Sequence, residues 1–300
     1  MQFGISLSHR QLKKLNIDLT DALKESVKYQ FSFIRLSLYW DEIEKEQNHF
    51  DFKLIKKILN FYQKNQQKII LTIGLKAQRW PEFYWPEFIK QRDLDNQKTR
   101  ELLFNFLEKS IKELKNYSCI KYWQLENEPL DPSGVYHNAL PLNLLQEEAN
   151  VIKKNDHRSI ILSVWGNELI KRNLLKDLVN ISNHVGLDLY HKQFVTEVLA
   201  KSIYLGPRQS IKQLKKYLAK FPRTNFWITE MQAEPWEKNE ENYLSDRAKS
   251  MNPQILLTNL KGIASLDIEQ IIFWGFEYWL WQKKRGNKDY FQLLKNLRKI

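Results

Sequence analysis

The sequence predicts a single-domain (β/α)8 barrel over residues 1–300. Eight strand-like segments alternate with helix-like ones from end to end. Along those strands one face is apolar, while the other turns small or polar toward the carboxyl end. A doubly wound sheet is the main competitor, but it normally carries a glycine-rich phosphate loop after its first strand. Here Gly4 stands alone and no Walker pattern occurs.

The strands are predicted at 3–7, 33–39, 68–75, 120–126, 159–165, 184–190, 226–230 and 270–275. In the first, Phe3, Ile5 and Leu7 oppose Gly4, Ser6 and Ser8. In the second, Ile34, Leu36 and Leu38 oppose Arg35, Ser37 and Tyr39. In the third, Ile69, Leu71, Ile73 and Leu75 oppose Ile70, Thr72, Gly74 and Lys76. In the sixth, Leu187 and Leu189 oppose Gly186, Asp188 and Tyr190. The apolar set suits the outer face of a barrel strand, which packs on helices; the other set suits the interior and the mouth. Between strands, apolar residues recur at helical spacing. Examples are Leu54, Ile55, Ile58, Leu59, Phe61 and Tyr62; Leu102, Leu103, Phe106, Leu107, Ile111 and Leu114; and Ile211, Leu214 and Leu218.

Composition narrows the function classes. A hydrophobic fraction of 43% supports a sizeable core, and ten Trp, thirteen Tyr and sixteen Phe exceed what packing alone usually needs. The net charge of +12 invites a nucleic-acid reading. Against it, the lysines are spread over nearly every helix, as in Lys56-Lys57, Lys153-Lys154 and Lys215-Lys216, with no basic block interleaved with aromatics. Cys119 is the lone cysteine, so no disulfide framework or cysteine zinc site is expected. The six His show no i, i+4 pairing. No metal or organic cofactor is expected. Without a secretory leader pattern or an apolar run of membrane length, the chain reads as soluble and cytoplasmic.

Two strand ends carry the chemistry. The segments 123–129 (WQLENEP) and 226–230 (FWITE) each read as a short strand that ends in a carboxylate where a loop begins. Strict alternation points Gln124, Glu126 and Glu128 inward on strand four, and Phe226, Ile228 and Glu230 inward on strand seven. Glu128 and Glu230 then meet at the mouth, with Glu126 one step deeper, hydrogen-bonded within the barrel. Two carboxyls about 5–5.5 Å apart, one protonated and one charged, can cleave a glycosidic bond with retention. Arg35 points to the same mouth and would hold a nearby carboxylate ionised, Tyr190 could donate to that carboxylate, and Asn127 could bind a sugar hydroxyl.

Asn127-Glu128-Pro129, Ile228-Thr229-Glu230, Arg35 and Phe273-Trp274-Gly275 together resemble clan A retaining glycoside hydrolases, in motif order over almost the whole chain. The resemblance implies that Glu128 is the acid/base and Glu230 the nucleophile. It places Asn127 at the sugar 2-hydroxyl, Arg35 behind the nucleophile and Trp274 under the cleaved sugar. The implied substrate is an oligosaccharide or glycoside, of β configuration. The chain departs from the pattern at Lys76, where many members place His or an aromatic residue, and at Asp188-Leu189-Tyr190, where the cellulase-like branch has His-x-Tyr. Trp80, Trp85, His191, Trp236, Glu277, Trp279 and Trp281 follow strand ends and are further candidates for the cleft. Packing, or for Glu277 a salt bridge, is the competing role. Rival readings of the whole chain are a catalytically silent glycan-binding barrel and a basic nucleic-acid binder.

Overall fold

A computed structural model describes residues 1–297 apart from 137, 174, 200, 246 and 247, with the backbone alone for 168, 171 and 172. Eight parallel strands close into a barrel: β1 (Gln2–Ser6), β2 (Ile34–Ser37), β3 (Ile69–Ile73), β4 (Ile120–Leu125), β5 (Ile160–Trp165), β6 (His184–Leu189), β7 (Asn225–Gln232) and β8 (Gln270–Trp274). Each strand pairs with its neighbours in the chain, and β8 closes on β1 from Gln2↔Gln270 to Ile5↔Phe273. This is the (β/α)8 architecture, with each predicted strand found. Two antiparallel hairpins were not foreseen: Glu44–Glu46 with His49–Phe50, and Gln193–Val198 with Lys201–Leu205. Among the described residues, no helix is long and apolar enough to cross a membrane.

The strand faces sort into two hydrophobic layers. Ile34, Leu36, Leu71, Ile73, Leu187 and Leu189 face outward and join one buried cluster with helix residues such as Ile55, Ile58, Leu59 and Tyr62. Those four lie on the inner stripe of the helix Lys53–Lys64. Burying side chains of this size stabilises by about 1.5–3 kcal/mol each. Inside the barrel, Phe33, Ile70, Ile161 and Ile272 form a separate plug, with Tyr122 and Trp227 packed on it. The Tyr122 and Trp227 rings meet edge-on at 4.8 Å. The plug fills the amino-terminal part of the barrel, so polar inward residues gather toward the carboxyl-terminal mouth.

Strict alternation fails at the carboxylates on two strands, and β4 has a further shift at its start, where Ile120 pairs with Ile69 but Tyr122 with Ile70. On β7, Trp227 packs on the inner plug while Ile228 joins the outer cluster, the reverse of the phase expected for Phe226, Ile228 and Glu230. The register explains it: Ile228 pairs with Leu187, but Glu230 pairs with the next residue of β6, Asp188. Thr229 is thus an extra residue, a bulge that resets the alternation and turns both Thr229 and Glu230 to the interior. On β4, regular pairing ends at Leu125, and Glu126 and Glu128 take left-handed backbone angles, φ 58° and 43°. The expected inward progression Gln124, Glu126, Glu128 is therefore broken at Glu126.

Candidate active site

Arg35 is the centre around which the mouth is assembled. It is fully buried on β2, and its guanidinium donates to Glu230 Oε1 (2.6 Å), Gln124 Oε1 (2.6 Å) and Asn127 Oδ1 (2.5 Å). One permanent cation thereby ties β2 to the ends of β4 and β7. Tyr190 donates its hydroxyl to the other Glu230 oxygen at 2.5 Å. Burial, reinforced by the Glu230 charge, pushes the Tyr190 hydroxyl well above its ordinary range, so it remains a donor.

The loop after β4 is held just as closely. Glu128 N donates to Ser163 Oγ of β5 (2.9 Å), and Asn127 N donates to Lys76 O (3.0 Å). Lys76, fully buried at the end of β3, donates Nζ to the carbonyls of Glu128 (3.1 Å) and Asp131 (2.8 Å) and pairs with Glu82. The departure from His or an aromatic at this position thus has a use: a lysine amine reaches the backbone that carries Glu128. Glu126 does not face the mouth. Its carboxylate accepts from the backbone N–H groups of Leu75 (2.7 Å) and Lys76. Gly74, at φ +134°, makes that approach possible, since a Cβ there would lie 2.1 Å from Glu126 Oε1.

Glu128, Asp188 and Glu230 each present a carboxylate oxygen, and these atoms lie within 4.8 Å of one another. Burial drives Glu128 well above the usual carboxylate range, with the charges of Asp188 and Glu230 adding to it. Asp188 is likewise raised by burial and then by Glu230, opposed by Arg35. The cluster has its counter-cation built in through Arg35. Asp188 was read from the sequence only as an inward residue and a departure from a motif; its inward phase, two residues before Tyr190, was the available signal.

These groups open into a cleft of about 720 Å³ whose lining includes Asn127, Glu128, Tyr190, Glu230, Trp274 and Trp80. Trp80 is 70% exposed and Trp236 45%, and both line the cleft. Trp236 meets Tyr190 edge-on at 5.3 Å. Trp274 is nearly buried, with the Arg79 guanidinium 4.2 Å over its ring. Arg79 in turn pairs with Glu234 and with Glu277, at 2.7 Å for the latter. Burial opposes the Arg79 charge, but the two carboxylates outweigh it.

Five of the candidates expected in loops after strand ends lie elsewhere, and Glu277, Trp279 and Trp281 sit in the helix Phe276–Lys284 rather than in a loop. Glu277 is fully buried, accepts from Ser8 N and Arg79, and does not line the cleft, so the salt-bridge role is the one it takes. His191 is also absent from the described lining; burial lowers its pKa to about 4, leaving a neutral ring near neutral pH. Trp85 packs on Trp40 at 5.9 Å, and Trp279 is fully buried with its indole N–H on Ala233 O. Trp281 stacks on Tyr278 at 5.7 Å, away from the cleft lining. All five follow strand ends in the sequence, but a position after a strand does not decide whether a side chain turns into the mouth or under it.

No protein-family model matches the chain, and no curated protein matches it in sequence. Solved structures match the fold. A xylanase from Thermotoga petrophila, solved in complex with xylobiose, superposes with a TM-score of 0.63 at 16% identity, covering 92% of this chain and 82% of its own. A GH5_18 protein from Streptomyces cattleya, in complex with GlcNAc, gives 0.64 at 11% identity, covering 91% and 70%. An exo-β-1,4-mannosidase from an Opitutaceae bacterium gives 0.66 at 11% identity; the chain spans about half of it, 51%, with 91% of this chain covered. Similarity at these identities establishes a shared barrel fold.

Proposed function

We propose that the chain is a retaining glycoside hydrolase acting on β-glycosides by double displacement. The observation that carries this is the pair Glu128 and Glu230. Their carboxylate oxygens lie within 4.8 Å across an open cleft, and the two groups have opposite surroundings. Retaining enzymes place the two carboxyls at about 5–5.5 Å, whereas inverting ones need roughly 6.5–9.5 Å to admit a water. Glu230 accepts hydrogen bonds on both oxygens, one from a permanent cation, as befits an anionic nucleophile. Glu128 is the group that burial and two neighbouring carboxylates keep protonated, as befits a general acid.

In the first step a Glu230 oxygen attacks the anomeric carbon while the glycosidic C–O bond breaks and the Glu128 proton passes to the leaving oxygen. In the second, water attacks the same carbon, its proton passes to Glu128 and the bond to Glu230 is released. Asn127, fixed by Arg35, presents its amide beside the reacting sugar, and Trp274, Trp80 and Trp236 offer ring faces or edges to sugar rings. The solved neighbours named above, a xylanase and a mannosidase among them, support a carbohydrate substrate.

The test is a panel of aryl β-glycosides assayed with wild type, Glu128→Gln and Glu230→Gln. Release of aglycone by wild type, lost in both variants, is expected. A 2-deoxy-2-fluoro glycoside of an accepted sugar should leave a covalent adduct on Glu230 in peptide mass spectrometry. An adduct on another residue, or inverted product by NMR, overturns the assignment.

A further inference from the structure

Asp188 has no part in the double displacement set out above, yet it lies in the same cluster. It is fully buried, and its Oδ1 accepts from Thr229 Oγ1 at 2.6 Å. The β7 bulge brings Thr229 there, and Gly186 makes room for it: a Cβ at 186 would lie 2.1 Å from Thr229 Oγ1. The other Asp188 oxygen, Oδ2, and Glu128 Oε1 are both buried, and neither has a hydrogen-bond partner. The two carboxyls nevertheless lie in one cluster, each presenting an oxygen within 4.8 Å of the other. Two ionised carboxylates could only accept, so a proton held by one of them is what can satisfy both orphan oxygens. Both Glu230 oxygens already accept, one from the Arg35 cation and one from Tyr190.

We propose that Asp188 and Glu128 share one proton in the resting site, making Asp188 a positioning residue that holds the Glu128 carboxyl in place until the leaving oxygen arrives. The inference rests on the reading of Glu128 as the acid/base. It explains a charge balance that the two-glutamate picture leaves open. At rest the shared proton leaves one negative charge on Asp188 and Glu128 together, and Glu230 carries a second. In the first displacement the proton leaves with the aglycone, but Glu230 loses its charge on forming the glycosyl ester. The three carboxyls carry two charges before and after, opposite the unchanging Arg35 cation. The second step reverses both changes.

The charged groups facing the pair are few. Glu128 feels Asp188 from β6, Glu230 from β7, and Asp131 and Glu82 from the loops, with the Lys76 amine on its backbone carbonyl. Asp188 feels Glu230 and Arg35. Burial raises both members of the pair; the Asp188 charge raises Glu128 further, and the Glu230 charge raises Asp188, which is the setting in which protons leave in two steps belonging to the pair.

The experiment is a ¹³C NMR titration of the full chain labelled at the Asp and Glu carboxyl carbons, with Glu128→Gln and Asp188→Asn used for assignment. In wild type the Glu128 and Asp188 carbons should move together in the same two steps. In Asp188→Asn, which keeps an acceptor for Thr229 and offers a donor to Glu128, the Glu128 carbon should titrate in one step. Its midpoint should lie lower by about one pH unit or more. A folded Asp188→Asn in which the Glu128 midpoint stays within about 0.3 pH units of wild type overturns the proposal. If Asp188→Asn does not fold, Glu128→Gln decides: its Asp188 carbon should collapse to a single step, and persistence of two steps overturns the sharing. Adding Mg²⁺ or Ca²⁺ should leave both carbons unmoved; a cation-dependent shift of both would replace the shared proton with a bridging ion. The titration needs no turnover, so its failure is separable from failure to cleave any glycoside.

Discussion

Two carboxyl pairs stand at the end of β4, two residues apart, and differ in what surrounds them. Glu126 meets Glu148 of the helix Leu142–Asn155, with both side chains fully buried and Glu126 bound to the backbone of Leu75 and Lys76. Glu128 meets Asp188 at the edge of the cleft, with Glu230 and its Arg35 partner beside them. Burial raises the carboxyls of both pairs, Glu126 to about 7. A raised carboxyl is therefore common to both and distinguishes neither. The differences are access to the cleft and a fixed guanidinium paired with a third carboxylate, the proposed nucleophile. The closed pair ties a strand end to a helix; the open one can give its proton away.

The comparison breaks most sharply at Glu230. Glu230→Gln should lower kcat/KM on any accepted aryl glycoside by about 10⁴-fold or more, worth about 5 kcal/mol of transition-state stabilisation, with the fold intact by circular dichroism. Glu126→Gln, by contrast, should leave kcat/KM within about threefold, because its carboxylate touches backbone and helix and never the cleft. A loss at Glu126→Gln comparable to that at Glu230→Gln would erase the distinction drawn here.

Arg35→Met tests the cation. It strands the Glu230 carboxylate in a buried site, and denaturant unfolding should show a loss of about 3–5 kcal/mol. No loss would mean that Arg35 does not hold the mouth together.

The closed pair has a pH signature of its own. A folded-state carboxyl raised to about 7 from an ordinary value of 4.5 stabilises the fold fully below 4.5, and that stability is lost as pH rises through 7. Between pH 5 and 8, wild type should lose on the order of 3 kcal/mol through Glu126, and Glu148→Gln, whose amide can donate to an ionised Glu126, should lose less. Parallel pH profiles for the two proteins in urea unfolding would show that Glu126 and Glu148 do not interact. The smallest effect belongs to the rim. Trp80→Ala removes a ring that is 70% exposed, so stability should stay within about 0.5 kcal/mol while KM rises by about 3–10-fold.

The sequence made the barrel and most of its mouth legible. Apolar periodicity placed eight strands and sorted their faces correctly on β1, β2, β3 and β6, because those strands keep the two-residue repeat to their ends. It picked out Glu128, Glu230, Arg35, Tyr190, Asn127 and Trp274 as companions, and the fold does bring them to one cleft. It misplaced the phase of β7, where Thr229 is an extra residue, and the direction of Glu126, where the backbone turns left-handed. A bulge or a positive φ is settled by what the neighbouring strands offer, and no local pattern announces it.

The order of strands, their apolar faces and the carboxylates at their ends follow from the sequence alone, since burial of one face per strand is a local demand repeated eight times. Only the tertiary structure decided that Asp188 joins Glu128 and Glu230 and that Glu126 turns away from them. Glu128 faces Asp188 and Glu230 because a lysine from β3, a serine from β5 and an arginine from β2 hold its loop, and because Gly186 admits the side chain of Thr229. Those partners lie from 35 to 92 residues away along the chain, and their meeting depends on the closure of the barrel.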